Sequence, residues 1–189
     1  MDERDAPGEG DGGDPGERVE DVTGTDAHDA AWEATRDDMA ALAEERREGG
    51  WDVVTLTAGD VRIEARATGP EADDEGRYGL VFVVPKGDAE AFADVFEEGG
   101  FPAYEVYRAE RDGRVFLVVS YFDPESETCI LAAATYLKRD ASRLVRTVAE
   151  TEEMYTHVET LDRTHLGSFQ HEDHTKFFPA VETVADAGE

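Results

Sequence analysis

The sequence predicts an α+β domain: an antiparallel-rich sheet of five to six strands with helices packed on it, in the order α-βββ-α-ββ(β)-α. Apolar residues recur at helical spacing in separate stretches. Between them lie short runs of β-branched and aromatic residues, the composition of strands. Hairpin-length turns join neighbouring runs, which favours antiparallel pairing.

Residues 1–24 are dominated by Gly, Asp, Glu and Pro, with almost nothing to bury. Such a segment cannot offset its ordering entropy, and disorder is expected there and in residues 182–189. A single domain is expected over residues 25–181. Thr25 and Asp26 read as a helix cap. Trp32, Thr35, Met39, Leu42 and Arg46 then fall on one narrow stripe, and Gly49-Gly50 ends the helix.

The period then changes to two. Residues 51–57 and 61–67 read as strands joined by a turn at Ala58, Gly59 and Asp60, the second strand having one wet face. Residues 78–84 carry no charge and read as a central strand buried on both faces, stopped by Pro85. Asp88 is expected to cap a second helix bearing Ala89, Phe92, Val95 and Phe96 on one face. Strands at 104–110 and 114–122 flank Asp112-Gly113, a hairpin signal. Residues 128–137 contain three consecutive alanines and leave a helix open, but the preceding turn favours a strand. A long third helix is expected from Asp140 or Ser142 to about Leu161. Leu144, Val148, Thr151, Tyr155 and Val158 recur on it at spacings of four and three.

The charge excludes several functions. Asp and Glu total 46 against 18 Lys and Arg, a formal net charge of −28, and lysine occurs only at Lys86, Lys138 and Lys176. A body with this charge repels itself at low ionic strength. The repulsion is largely screened near molar salt, where the Debye length is about 3 Å. The acidity therefore reads as solvation in a high-salt cytoplasm rather than as chemistry. Nucleic-acid binding is not expected, because clustered Lys and Arg are missing. Membrane contact is not expected, because no apolar run approaches the length of a span. A cytoplasmic location is expected, the N-terminal residues showing no basic-then-apolar signal pattern. Cys129, the only cysteine, lies in an apolar run and reads as a buried small hydrophobe.

One segment has the composition of a site. His157, His165, His171 and His174 crowd together near the C-terminus, interspersed with Phe169, Phe177 and Phe178. Imidazoles and carboxylates suit zinc or another divalent transition metal. His171 and His174 lie three apart, Asp173 or Glu172 offers an oxygen, and His165 a third nitrogen after a reversal at Gly167. No recognised ligand spacing occurs. A second reading makes His165 a general base near Glu159 or Asp162, but Ser168 lacks the context of an activated nucleophile. The plainer reading is structural: His165 ends the third helix, and the phenylalanines clasp the C-terminal segment onto the body, with Pro179 ending the clasp. Elsewhere, Arg62 and Arg66 are expected to pair with carboxylates or form a small anion patch. Tyr104, Tyr107, Phe116, Tyr121 and Phe122 are core residues or the lining of a pocket.

Residues 154–157 (MYTH), 164–169 (THLGSF) and 176–179 (KFFP) resemble an uncharacterised family of haloarchaeal proteins. That family has no assigned activity, so the resemblance implies no site residue. The element order also resembles the fold of type III secretion chaperones and related small binding domains, with an added strand. Fold likeness alone says little about function.

The function expected from these features is a non-enzymatic binding or accessory domain with no required cofactor. A protein partner or a second copy of the chain is the expected occupant of its sheet or a helix face. The alternative is a metal-binding protein or metal-dependent enzyme using His165, His171, Asp173 and His174.

Overall fold

The computed structural model describes residues 15–65 and 78–178, with side chains described from Asp26 onward. It contains two four-stranded sheets rather than one sheet of five to six strands. The first sheet has the order β1-β6-β5-β4 and the second β2-β3-β7-β8. The strands are β1 (Asp52–Thr57), β2 (Asp60–Glu64), β3 (Gly79–Val83), β4 (Ala103–Arg111), β5 (Arg114–Asp123), β6 (Thr128–Leu137), β7 (Met154–Glu159) and β8 (His165–His171). Three helices, α1 (Pro15–Glu48), α2 (Lys86–Val95) and α3 (Ser142–Thr151), complete the described residues, with 3₁₀ turns at Lys138–Ala141 and His174–Lys176. Neighbours pair antiparallel except β1 with β6 and β3 with β7.

The α1 backbone begins at Pro15, so Thr25 and Asp26 lie within the helix instead of capping it. Of the tail expected at residues 1–24, residues 15–24 belong to the α1 backbone, while residues 1–14 and the segment 182–189 fall outside the described residues, as do Arg66 and Pro179. The predicted stripe holds. Met39 and Ala43 are buried against Val118, Cys129, Leu131 and Ala133, with Trp32 and Leu42 packed alongside. Thus α1 covers one face of the first sheet. The alanines of β6 fit this layering, because Ala133 faces the helix and Ala132 and Ala134 face the other way, into the main core. Their small side chains suit a strand crowded on both sides, which settles residues 128–137 as strand.

The main core lies between the sheets. Leu117, Val119, Tyr121 and Ile130 of the first meet Leu80, Phe82, Met154 and Val158 of the second. All eight are at most 1% exposed. Each fully buried large apolar side chain stabilises the fold by about 1.5–3 kcal/mol. β3 is buried at every residue, as its uncharged sequence predicts. Gly79 is required there, because a Cβ would fall 1.6 Å from the Tyr155 carbonyl oxygen of β7.

Asp88 does not cap α2, which is preceded by Pro85. Its carboxylate instead accepts a hydrogen bond of 2.8 Å from the Thr57 backbone N–H, tying the end of β1 to the helix. The Asp112-Gly113 turn has positive φ at both residues, 52° and 76°, as a tight hairpin requires.

The third helix is the principal correction. It ends at Thr151, and residues expected to extend it form β7. Glu152 adopts the left-handed conformation and its N–H donates to Val148 O, closing the helix. The stretch from Met154 satisfies two periods at once. Its helical spacing is real, but Met154, Thr156 and Val158 also alternate at period two, with β-branched and aromatic neighbours. The vacancy between β3 and β8 decides in favour of the strand, as tertiary context overrides local propensity. Leu161, expected on the apolar face of that helix, is instead 81% exposed in the β7–β8 turn.

Candidate functional site

The histidine segment becomes the β7–β8 hairpin, and alternation divides its side chains between two faces. Met154, Thr156, Val158, Phe169 and His171 turn inward, toward the first sheet. His157, Glu159, His165 and Ser168 turn outward. A bulge makes this division uneven: Val158 pairs with Gly167, whereas Glu159 pairs with His165. The extra residue lets His165 and Ser168, three apart, share one face. Without it, period two would set them on opposite faces.

The inward side carries a buried polar chain. The Tyr121 hydroxyl lies 2.7 Å from Thr156 Oγ1, which lies 2.8 Å from His171 Nε2. His171 is 1% exposed and sits among the rings of Tyr104, Tyr121 and Phe177. Burial, together with the nearby His157 and Lys176, pushes its pKa down to about 3, so the ring is neutral. Its Nδ1 is buried without a hydrogen-bond partner among the described residues. The C-terminal clasp is present: Phe177 and Phe178 are buried, and the Tyr136 hydroxyl donates to Phe177 O at 2.6 Å. Burial raises the Tyr121 and Tyr136 hydroxyls well above the ordinary phenol range.

The four candidate metal ligands are dispersed. His171 is in the core, while His165 is exposed on the outer face. Asp173 accepts from the Thr175 N–H and hydroxyl, which hold its carboxyl below its ordinary range. His174 begins the following 3₁₀ turn. Among the described residues, no three His, Cys, Asp or Glu side chains form a group able to hold a metal ion. The carboxylates weighed as partners for His165 are engaged elsewhere. Glu159 accepts from Arg62, which also donates to Glu64 at 2.9 Å. Asp162 accepts from Thr160 and Thr164. Arg62 therefore pairs with carboxylates, and the hydrogen bond it donates to Glu159 raises its pKa.

The outward side brings together what the sequence kept apart. Ser168 Oγ lies 2.7 Å from His157 Nδ1 and 2.7 Å from His165 Nε2. His157 is 4% exposed, Ser168 half-buried and His165 exposed. A hydroxyl has one proton, so it can donate to only one imidazole and must accept from the other. Ser168 also lines a cleft of about 390 Å³ between β8 and the loop that follows α2. Phe96, Phe101 and Tyr155 contribute apolar walls, and Glu97 and Glu98 contribute carboxylates. Gly167 permits this packing, since a Cβ there would fall 2.5 Å from the Phe96 ring. Sequence reasoning set Ser168 aside because no familiar motif surrounds it, and a bulge has no reliable signature in a single sequence.

The strand aromatics divide differently. Phe116 and Tyr121 are buried, whereas Tyr107 is 43% exposed. Tyr107 and Phe116 line a groove of about 350 Å³ with Thr35 and Leu42 of α1. Cys129 is fully buried, and burial pushes its thiol up to about 11. Among the described residues, no helix is long and apolar enough to cross a membrane.

Comparison with known proteins finds no matching curated protein and no matching solved structure. A family model described as a family of unknown function (DUF7529) matches residues 17–179. The match takes in every described strand and helix but the first residues of α1, and with it the whole β7–β8 hairpin. The chain belongs to the DUF7529 family.

Proposed function

We propose that this chain is a small-molecule-binding accessory domain of a high-salt cytoplasm, with the cleft beside β8 as its recognition surface. The observation that carries this reading is the convergence at Ser168. Half-buried Ser168, whose hydroxyl lies within hydrogen-bond reach of two imidazoles, is among the residues lining a cleft with aromatic walls. Ligand sites commonly combine an apolar lining with a few fixed polar groups. Glu97 and Glu98 favour a ligand whose polar end is uncharged or cationic.

Support for the high-salt setting is the excess of 46 acidic over 18 basic residues and the near-absence of lysine. The haloarchaeal likeness at residues 154–157, 164–169 and 176–179 points the same way. The element order through α3 is that of the secretion-chaperone likeness with one more strand, and supports binding over catalysis at fold level only.

Benzylamine is a suitable probe, with benzoate as its anionic counterpart. Titrated in molar potassium chloride, benzylamine should shift the NMR signals of Phe101, Ser168 and Gln170 together and benzoate should not. No shift at these residues with either compound would remove the cleft as the recognition surface.

A further inference from the structure

We infer that the free edge of β4 is the contact between two copies of this chain, paired antiparallel about a twofold axis at Ala109, so that their first sheets run together as one. The cleft beside β8 plays no part in this contact.

β4 is the end strand of its sheet and pairs with β5 along its whole length, from Ala103 to Arg111. Among the described residues, no strand pairs with its other edge. From Tyr107 to Arg111 every residue is exposed. On that side α1 packs mainly on β1, β5 and β6, and a groove of about 350 Å³ remains between α1 and β4. An unpaired edge offers backbone N–H and C=O groups to another strand. The tight turn at Asp112-Gly113 makes Arg111 and Arg114 the last hydrogen-bonded pair of the hairpin. By alternation, the backbone groups of Arg108 and Glu110 then point to the free edge.

The order of the side chains selects the partner. Charges on an edge ordinarily discourage pairing. Residues 107–111 are Tyr-Arg-Ala-Glu-Arg, an order that complements its own reverse. With Ala109 opposite Ala109 of the second copy, Arg108 meets Glu110 and Glu110 meets Arg108, two favourable cross-strand pairs. On the α1 side, Tyr107 meets Arg111 and Arg111 meets Tyr107, the partners of a cation–π contact. Asp38 and Glu45 line the groove beside Tyr107, where the arriving Arg111 finds further carboxylates. Moving the axis to Arg108 sets that arginine against itself, and moving it to Glu110 sets two glutamates together. The charges therefore fix one register, and the contact is self-complementary, as a twofold interface must be. The strip holds two arginines and one glutamate within a chain of net charge −28, so two copies meet where the surface is not acidic.

The test is sedimentation equilibrium of the full chain in molar potassium chloride over a range of concentrations. A monomer–dimer equilibrium is expected. Glu110→Arg and Arg108→Glu each set like charges opposite one another twice, and each should raise the dissociation constant by roughly tenfold. An equimolar mixture of the two should recover the dimer, because each reversed residue then faces its opposite. Both positions are exposed, and circular dichroism verifies that the fold is kept. Ala109→Cys gives a readout independent of these charges. Facing residues of a non-hydrogen-bonded pair have Cα atoms about 4.5 Å apart, within disulfide reach. Mild oxidation should cross-link Ala109→Cys and leave Ala103→Cys unlinked, the native Cys129 being fully buried. A monomer at every concentration would overturn the inference. So would a dimer that both charge reversals leave unchanged, or one that cross-links as readily through Ala103→Cys as through Ala109→Cys.

Discussion

His171 Nε2 and Thr156 Oγ1 lie 2.8 Å apart in the centre of the protein, on adjacent strands of the second sheet. Through Thr156 the contact continues to Tyr121 of the first sheet at 2.7 Å. This is a polar bridge across an otherwise apolar seam, and it aligns the two sheets as well as satisfying their buried groups.

Thr156→Val keeps the shape of that bridge and removes its hydrogen bonds. The Tyr121 hydroxyl and His171 Nε2 are then buried without partners. Such a loss costs about 1–3 kcal/mol for each stranded group. Urea denaturation in molar salt should show a lower midpoint with an unchanged slope, and Thr156→Ser should recover most of the loss.

His171 also sets a pH dependence. Its folded pKa is about 3, against 6.5 for the free side chain. Between these values the unfolded chain binds a proton that the folded chain does not. Stability is therefore fully present above pH 6.5 and falls as pH drops toward 3, by at most about 1.4 kcal/mol per unit from this group. His171→Phe should flatten that limb of the stability profile. An unchanged slope would show that His171 does not control it.

Gly79→Ala should be severe. The added carbon falls 1.6 Å from a backbone oxygen on β7, and a backbone atom of a central strand pair cannot move aside cheaply. A loss of about 4 kcal/mol or more is expected, placing it among the exceptional single substitutions. Thermal unfolding followed by circular dichroism measures it, and a fall in midpoint of only a degree or two would contradict the close β3–β7 approach.

Cys129 should resist thiol reagents in the folded protein and react at once when unfolded. It is fully buried and its thiol is pushed up to about 11, so little thiolate forms near neutrality. Rapid labelling of the folded chain would mean that α1 lifts from the first sheet.

Stability should rise with potassium chloride up to the molar range. A net charge of −28 on one chain gives strong self-repulsion, which shrinks as the Debye length falls to about 3 Å near 1 M salt. An unfolding midpoint that does not move between dilute and molar salt would contradict salt adaptation.

By itself the sequence determined the mixed α and β class, the α1 stripe on Met39, the buried β3, the β4–β5 hairpin at Asp112-Gly113, the buried Cys129 and the anchoring of Phe177 and Phe178. These follow from local signals, since periodicity, turn residues and burial propensity act over a few neighbouring positions. Tertiary structure alone decided that residues from Met154 extend a second sheet. Their apolar pattern fits helix and strand alike, and only the open edge of β3 distinguishes them. It also decided the site. His165 and Ser168 are spaced for opposite faces of a regular strand, and a bulge opposite Val158 and Glu159 turns both onto the face of His157. That bulge is set by how β7 pairs with β8, a relation between two strands that neither strand's own sequence contains.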